Sequence, residues 1–196
     1  MKKIVIFLVF VLFAGSAIGA DGPKREYKYG DVGYFGTIRA NYMMWYTFGY
    51  GPATGASVDF INGRSYNPWF MMGGGIGVIY TNFPPRLTSD KKNHSAIRVP
   101  VYLHLRTNLL DRRISPFLAV NLGCGISRGY IEKSPYQFYT EQMDASYVFL
   151  YEEVQLGAAV RLKGGRMIDF GLSFPFDFGL IYCMQGGLKF SLGFTW

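Results

Sequence analysis

The feature that most constrains this chain is a strict alternation of large apolar residues with small or polar ones. In the last eleven residues the large apolar positions are Leu188, Phe190, Leu192, Phe194 and Trp196. The same period recurs over residues 168–178, where Asp169 and Asp177 stand between the apolar positions. A period of two places the two sets of side chains on opposite faces of a β-strand. An all-β fold is therefore predicted.

Alternation alone leaves open which face is the inner one. In a soluble barrel the apolar face forms the core, whereas in a membrane barrel it meets lipid and the polar face fills the lumen. The composition is 49% hydrophobic, 18% aromatic and 17% charged, with 25 glycines. Such a composition excludes a disordered chain and a coiled coil. The two cysteines exclude a disulfide-dense scaffold.

Turn residues divide the chain into eight alternating segments. They are Val32–Tyr46, Gly55–Ser65, Trp69–Tyr80, Ala96–Asn108, Ile114–Arg128, Tyr147–Lys163, Met167–Gly179 and Gly186–Trp196. Short links fall at 66–68, 109–113 and 164–166, longer ones at 47–54, 81–95 and 129–146, and a modest one at 180–185. Short turns at one rim and longer loops at the other are typical of outer-membrane barrels. We predict an eight-stranded antiparallel up-and-down transmembrane β-barrel; ten strands, with an extra hairpin in 129–146, is the alternative.

Residues 1–20 have the layout of a secretory signal peptide. Lys2 and Lys3 precede an apolar run, Ile4–Phe13, and a small-residue stretch that ends at Ala20. The run is too short to span a bilayer, although an N-terminal anchor is the alternative. Cleavage there leaves residues 21–196 as one outer-membrane β-barrel domain. Its eighteen Lys and Arg against thirteen Asp and Glu give a charge of +5.

The projected lumen face carries both signs of charge. Its titratable members are Arg39, Asp59, Arg98, His104, Arg106, Glu153, Arg161, Asp169, Asp177 and Lys189. Arginine keeps its proton, so inside a narrow barrel it must be paired or hydrated. Eight strands enclose a space that side chains just fill. We therefore expect a structural ion-pair network in the lumen, with a narrow channel for small solutes as the alternative.

Aromatic residues cluster near the ends of the segments. Those near the short links are Tyr66, Trp69, Phe70, Phe117 and Trp196; those near the long links are Trp45, Tyr46, Phe48, Tyr50 and Tyr80. Aromatic rings prefer both membrane–water interfaces, so this placement favours a membrane barrel. A soluble lipocalin-like binding barrel remains the alternative.

Two internal motifs and the last strand carry a family resemblance. Residues 66–78 (YNPWFMMGGGIGV) and 108–117 (NLLDRRISPF) resemble the porin-like outer-membrane β-barrel domain family. The terminal pattern, Leu188 to Trp196, resembles the C-terminal signal read by the barrel-insertion machinery. The resemblance implies an eight-stranded barrel in the outer membrane of a Gram-negative bacterium. It implies no catalytic residues.

Catalytic and metal sites are not expected. His104 has Tyr102 and Arg106 as same-face neighbours rather than a serine, and His94 with Ser95 falls in a predicted loop. A lipid-modifying enzyme is the alternative that these histidines leave open. Two histidines without a carboxylate cluster make a poor metal site, so neither metal nor cofactor is predicted.

The expected partners follow from export. Basic loop residues would meet phosphates of surface glycolipid; they are Lys91, Lys92, Arg128 and Lys133. Nucleic acid is not expected as a partner, and the barrel is expected to be a monomer in outer-membrane lipid. Cys124 and Cys183 fall on segments that are not neighbours, so free thiols are favoured. The predicted function is a non-enzymatic outer-membrane barrel with a structural or surface-interaction role through its loops.

Overall fold

The computed structural model describes residues 32–47, 51–83, 94–131, 143–162, 165–179 and 184–196. Eight strands form one closed antiparallel barrel in which each strand pairs with the next and β1 pairs with β8. The strands are β1 Gly33–Thr47, β2 Gly51–Asn67, β3 Phe70–Phe83, β4 His94–Asn108, β5 Ile114–Ile131, β6 Met143–Arg161, β7 Met167–Gly179 and β8 Met184–Thr195. The predicted fold class and strand number are confirmed.

The pairing register fixes the shape of the wall. A path from partner to partner, started at Thr37 of β1, returns to β1 at Thr47, ten residues further along. Its steps are Ile61, Gly75, Tyr102, Gly123, Tyr151, Asp177 and Gln185. A stagger of ten residues over eight strands tilts the strands by about 40° from the barrel axis. The interior is therefore narrow enough for side chains to fill.

Most strands extend beyond the predicted segments. β2 begins at Gly51, where it pairs with Thr47, so the link predicted as 47–54 is in fact 48–50. This prediction was wrong because ladder hydrogen bonds continue past the end of the apolar alternation. The links predicted as 81–95 and 129–146 shorten to 84–93 and 132–142 for the same reason.

Two of the short turns are stabilised by side chains of the motifs at residues 66–78 and 108–117. The Asn67 Oδ1 accepts hydrogen bonds from the backbone N–H of Trp69 (2.9 Å) and of Phe70 (2.7 Å), which closes the β2–β3 turn. In the β4–β5 turn the Ser115 hydroxyl accepts from the Leu110 N–H at 3.1 Å. These turns define the short-turn rim, and the opposite end is called the loop rim below.

The two faces of the wall differ in kind. Side chains that point inward are buried and mostly polar, whereas outward-pointing ones are mostly large, apolar and exposed. Typical outward residues are Ile38 (50% exposed), Val58 (57%) and Leu192 (52%). In the part of the chain that the structure describes, no helix is long and apolar enough to span a membrane.

Candidate functional site: the charged barrel interior

All ten charged or titratable residues projected onto the lumen are buried inside the barrel. Their exposed fractions range from 0% for Asp59 to 5% for Arg161. They come from six of the eight strands, because β3 and β5 contribute none. The structure brings nine of these residues together in four groups, which are described from the centre outward, and Arg39 is described after them.

The central group is built on Lys189 of β8. Its ammonium donates to the Asp59 Oδ2 at 3.1 Å and to the Glu153 Oε2 at 3.0 Å. The Asn41 amide donates to the same Asp59 oxygen at 2.8 Å and to the Ser57 hydroxyl at 2.8 Å. One cation therefore joins carboxylates from β2 and β6, across the interior.

The same group continues toward β4 and β5 through hydrogen bonds. The Tyr151 hydroxyl donates to the Glu153 Oε2, and the Asn121 amide donates to that oxygen at 3.2 Å. The Asn121 Oδ1 lies 2.6 Å from the His104 Nδ1. Because Asn121 bridges Glu153 and His104, the imidazole forms part of a structural chain.

The second group lies nearer the short-turn rim. The Arg106 guanidinium donates two parallel hydrogen bonds to Asp169, of 2.9 and 2.8 Å, and its Nε donates to the Asn108 Oδ1 at 3.0 Å. The Thr195 hydroxyl donates to the Asp169 Oδ2 at 3.3 Å and lies 2.7 Å from the Thr37 hydroxyl. A bidentate pair of this kind has the geometry that only arginine supplies.

The third group lies nearer the loop rim. The Arg98 Nη1 is 2.6 Å from the Asp177 Oδ2, with both side chains at most 3% exposed. The guanidinium of Arg98 also lies over the Trp45 ring, 4.8 Å from its centre. A cation over an indole face is attracted by the ring quadrupole.

Two predicted interface aromatics belong to this interior. Trp45 is fully buried, and Phe117 is 1% exposed beneath Arg106, whose guanidinium lies 4.0 Å from the ring centre. The prediction that they ring the barrel outside is wrong, because both stand at inward positions of their strands. Tyr66, Trp69 and Trp196 do lie on the outer surface, each more than 40% exposed.

The fourth group joins the short turns across the barrel floor. The Arg161 Nη1 is 2.7 Å from the Asp111 Oδ1, and its Nη2 donates to the Pro68 carbonyl at 2.8 Å. The Asn108 amide donates to the same carbonyl at 3.2 Å, and the Arg161 N–H donates to the Arg113 carbonyl at 2.7 Å. The Arg161 side chain therefore joins the β2–β3 and β4–β5 turns, and its backbone N–H holds the second of these turns to the end of β6. Sequence reasoning missed Asp111, because a turn position carries no alternation signal.

Arg39 differs from the other cations. It is 1% exposed, and none of its three guanidinium nitrogens has a hydrogen-bond partner on the described chain. Asp59, Glu153 and Asp169 interact with it electrostatically. Lys189 shares the first two of these carboxylates. Including Asp111, the described interior groups hold five fixed cations against five carboxylates, so the interior is close to neutral.

This arrangement links strands across the barrel interior and so stabilises the wall. Each fixed cation but Arg39 is held by a carboxylate on another part of the chain, and the described contact of His104 is an amide. Within the described ranges, no group of three or more His, Cys, Asp or Glu could hold a metal ion. Cys124 is a free thiol.

Several sequence predictions fall outside the described residues. They are the signal peptide 1–20 and the residues Phe48, Tyr50, Lys91, Lys92, Lys133 and Cys183, together with the side chain of Tyr46. Arg128 is described and exposed near the loop rim.

Comparison with known proteins supports the fold. No family model matches the sequence, and no curated protein matches it. The crystal structure of Neisserial surface protein A, NspA, is similar with a TM-score of 0.55 at 12% identity, covering 83% of this chain and 95% of that one. Ail of Yersinia pestis, solved with the heparin analogue sucrose octasulfate, gives a TM-score of 0.48 at 12% identity, covering 83% and 97%. The likeness to NspA identifies an eight-stranded barrel fold and goes no further.

Proposed function

We propose that this protein is an integral outer-membrane β-barrel whose interior is closed by ion pairs and whose role is structural or surface-interacting. One observation carries the proposal: most charged side chains of the strands point inside, and most large apolar side chains point outside. A soluble barrel of lipocalin type needs the reverse arrangement, since water would meet the apolar face. Lipid is the solvent that suits this outer surface.

The closed interior follows from the same contacts. The central group and the Arg98–Asp177 pair place salt bridges across the lumen at two levels, and Trp45 lies against the second. Such a neutral, side-chain-filled interior gives ions no continuous charged lining of one sign. We therefore favour a sealed lumen over the narrow channel.

A non-enzymatic role is part of the proposal. His104 is 2% exposed inside the barrel, and its Nδ1 contacts the Asn121 amide oxygen. A lipid-modifying enzyme needs a nucleophile beside a base at a place that lipid can reach. Surface interaction is assigned to the loop rim, where exposed Arg128 suits phosphate groups of surface glycolipid. Insertion would use the barrel-insertion machinery, through the strand that ends in Trp196.

The test of membrane insertion is gel mobility after detergent extraction, with unboiled and boiled samples side by side. A folded membrane barrel resists the detergent until it is heated and migrates differently in the two lanes. Protein recovered from the soluble periplasmic fraction, with no mobility shift, would contradict the proposal.

Planar-bilayer recording then tests the sealed lumen. We expect no steady single-channel steps from the inserted protein. Uniform steps at every insertion would replace the sealed lumen by the narrow channel while leaving the membrane barrel intact.

A further inference from the structure

Three arginines are exposed on two neighbouring turns of the short-turn rim. Arg112 and Arg113 stand in the β4–β5 turn, and Arg166 is the last residue before β7. Two backbone hydrogen bonds hold these turns on either side of the end of β6: the Arg161 N–H donates to the Arg113 carbonyl and the Leu162 N–H to the Arg166 carbonyl, each at 2.7 Å. Two strand spacings, about 10 Å, separate the turns, so long side chains from both can reach one group. Arg112, Arg113 and Arg166 are called the arginine patch below.

The protein around the arginine patch does not neutralise it. Asp111 is the one carboxylate among the described residues of these two turns, and its Oδ1 lies 2.7 Å from the Arg161 Nη1. Arg161 points into the barrel floor, where its Nη2 also donates to the Pro68 carbonyl. In the described ranges of the chain, none of the three patch arginines forms an ion pair. The motif at residues 108–117 therefore has a structural role for Asp111 and leaves its two arginines available to a partner.

Exposed apolar residues give the depth of the patch in the membrane that the proposed function requires. Ile114, which directly follows the patch in the chain, is 60% exposed on the outer wall, and Leu162, the first residue after β6, is 38% exposed. Trp69 is 46% exposed, and its carbonyl accepts a hydrogen bond from the Asn108 N–H at the start of the β4–β5 turn. Indole rings prefer the membrane–water interface. The arginines therefore begin where the lipid-facing wall ends, at the level of the lipid headgroups.

The chemistry that fits this patch is a lipid phosphate. Guanidinium groups stay charged and bind phosphate oxygens through parallel hydrogen bonds. In a membrane barrel the short turns lie on the periplasmic side, and basic groups at a membrane surface attract anionic lipids. Leu109 (59% exposed) and Leu110 (41%) lie on the same turn as two of the arginines, where acyl chains would cover them. An acidic polymer in the periplasmic water would gain nothing from these leucines, so lipid is favoured.

We propose that the arginine patch binds the phosphate of an anionic phospholipid in the periplasmic leaflet, with the leucines of the β4–β5 turn against its acyl chains. This inference rests on the proposed function, because a soluble barrel would have no leaflet at that level. It adds a lipid site at the rim opposite to the surface-interacting loops. The site is independent of whether the lumen conducts.

Photocrosslinking of the full mature chain in vesicles tests the site. Phosphatidylcholine vesicles contain a small amount of a probe lipid with a photoreactive diazirine near the glycerol. The probe is either phosphatidylglycerol, which is anionic, or phosphatidylcholine, which is zwitterionic. Vesicles recovered by flotation are illuminated, and the labelled chymotryptic peptides are identified by mass spectrometry. Heat-dependent gel mobility shows whether each variant is folded.

The patch variant removes the three arginines, and the control variant removes the same charge from elsewhere on the chain. The patch variant carries Arg112→Gln, Arg113→Gln and Arg166→Gln. The control variant carries Lys91→Gln and Lys92→Gln in the 84–93 link and Arg128→Gln near the loop-rim end of β5. We expect the patch variant to fold, since Arg113 and Arg166 hold the turns through their backbone carbonyls.

We expect phosphatidylglycerol to label the β4–β5 and β6–β7 turns about five-fold or more above phosphatidylcholine, in the wild type and in the control variant. The patch variant should lose this preference. Equal labelling by the two probes, or labelling spread evenly over both rims, would overturn the lipid site. An equal loss of preference in the control and patch variants would overturn it as well.

Two further outcomes separate this site from its alternatives. Detergent-solubilised protein that sediments with purified peptidoglycan through the patch, without a preference between the two lipids, would overturn the lipid site in favour of an acidic polymer. Protein that neither floats with the vesicles nor shows heat-dependent mobility would overturn the membrane barrel itself. Floating, folded protein without a lipid preference would overturn the lipid site alone.

Discussion

Removal of the Lys189 ammonium is the most informative perturbation of the interior. Lys189 is 1% exposed and holds Asp59 and Glu153 at 3.1 and 3.0 Å. The substitution Lys189→Met keeps most of the side-chain volume while leaving two buried carboxylates without their shared donor. Breaking a buried pair from one side costs about 3–5 kcal/mol of the free energy of unfolding. Arg39 can compensate in part, which places the expected loss toward the lower end of that range.

The discriminating variant removes the charges together. Lys189→Met with Glu153→Gln removes one buried charge of each sign, so four fixed cations still face four carboxylates and Arg39 keeps its interaction with Asp59. Replacing a buried pair in this way is often neutral, so we expect the double variant to recover most of the stability lost in the single one. Arg128→Met, which removes an exposed cation near the loop rim, serves as the control and should change stability by less than about 0.5 kcal/mol.

The assay is denaturant unfolding of protein folded into lipid vesicles, followed by tryptophan fluorescence. A single variant that does not fold at all, together with a double variant that does, supports the same conclusion. The reasoning is refuted if Lys189→Met unfolds at the wild-type denaturant concentration. It is equally refuted if the double variant is no more stable than the single one.

Other expected results follow from the interior contacts. Gly75→Ala would place a Cβ against the ring carbons of Tyr102, closer than van der Waals contact allows. We therefore expect the free energy of unfolding to fall by about 1–3 kcal/mol, and to fall by less in a Tyr102→Ser background. Arg106→Lys keeps the charge but gives up the bidentate geometry toward Asp169, and each lost hydrogen bond should cost about 1.5–3 kcal/mol in the same measurement. His104→Gln should leave the lipid composition of the membrane unchanged in mass spectra; an altered composition would reverse the non-enzymatic assignment.

The sequence predicted the fold because one signal was repeated in every strand. Period-two alternation fixes which residues share a face, and an inner face that carries most of the charged strand residues is compatible with few architectures. The first long link was mispredicted because Thr47 and Gly51 form a ladder pair beyond the last alternating residues. Backbone hydrogen bonds do not depend on which side chains are present, so the ends of the strands are the part of the fold that the sequence predicts least well.

The site was predictable as a set of residues but not as a set of contacts. Alternation along each strand identifies which charged residues point inward. Which cation meets which carboxylate depends on the pairing register of all eight strands, and that register cannot be read from one strand alone. The same alternation puts Trp45 and Phe117 at inward positions, whereas their proximity to the strand ends had led to the prediction that they lie on the outer surface. Asp111 was missed because it stands in a turn, where no alternation marks the residues that point inward.

Because β1 pairs with β8, the strands form a closed ring, and the wall does not depend on which turn of the ring contains the chain ends. Seven of the eight strand pairs join consecutive strands, and the remaining pair brings together Thr37 and Thr195, which are 158 positions apart in the chain. Gly36 and Trp196 exchange backbone hydrogen bonds of 3.0 and 2.9 Å at the short-turn rim. The start of β1 and the end of β8 therefore lie side by side, at the distance that an ordinary hairpin turn connects. A circular permutant joined there and opened at 109–113 would keep every strand pair of the wall and change the order in which the strands are made.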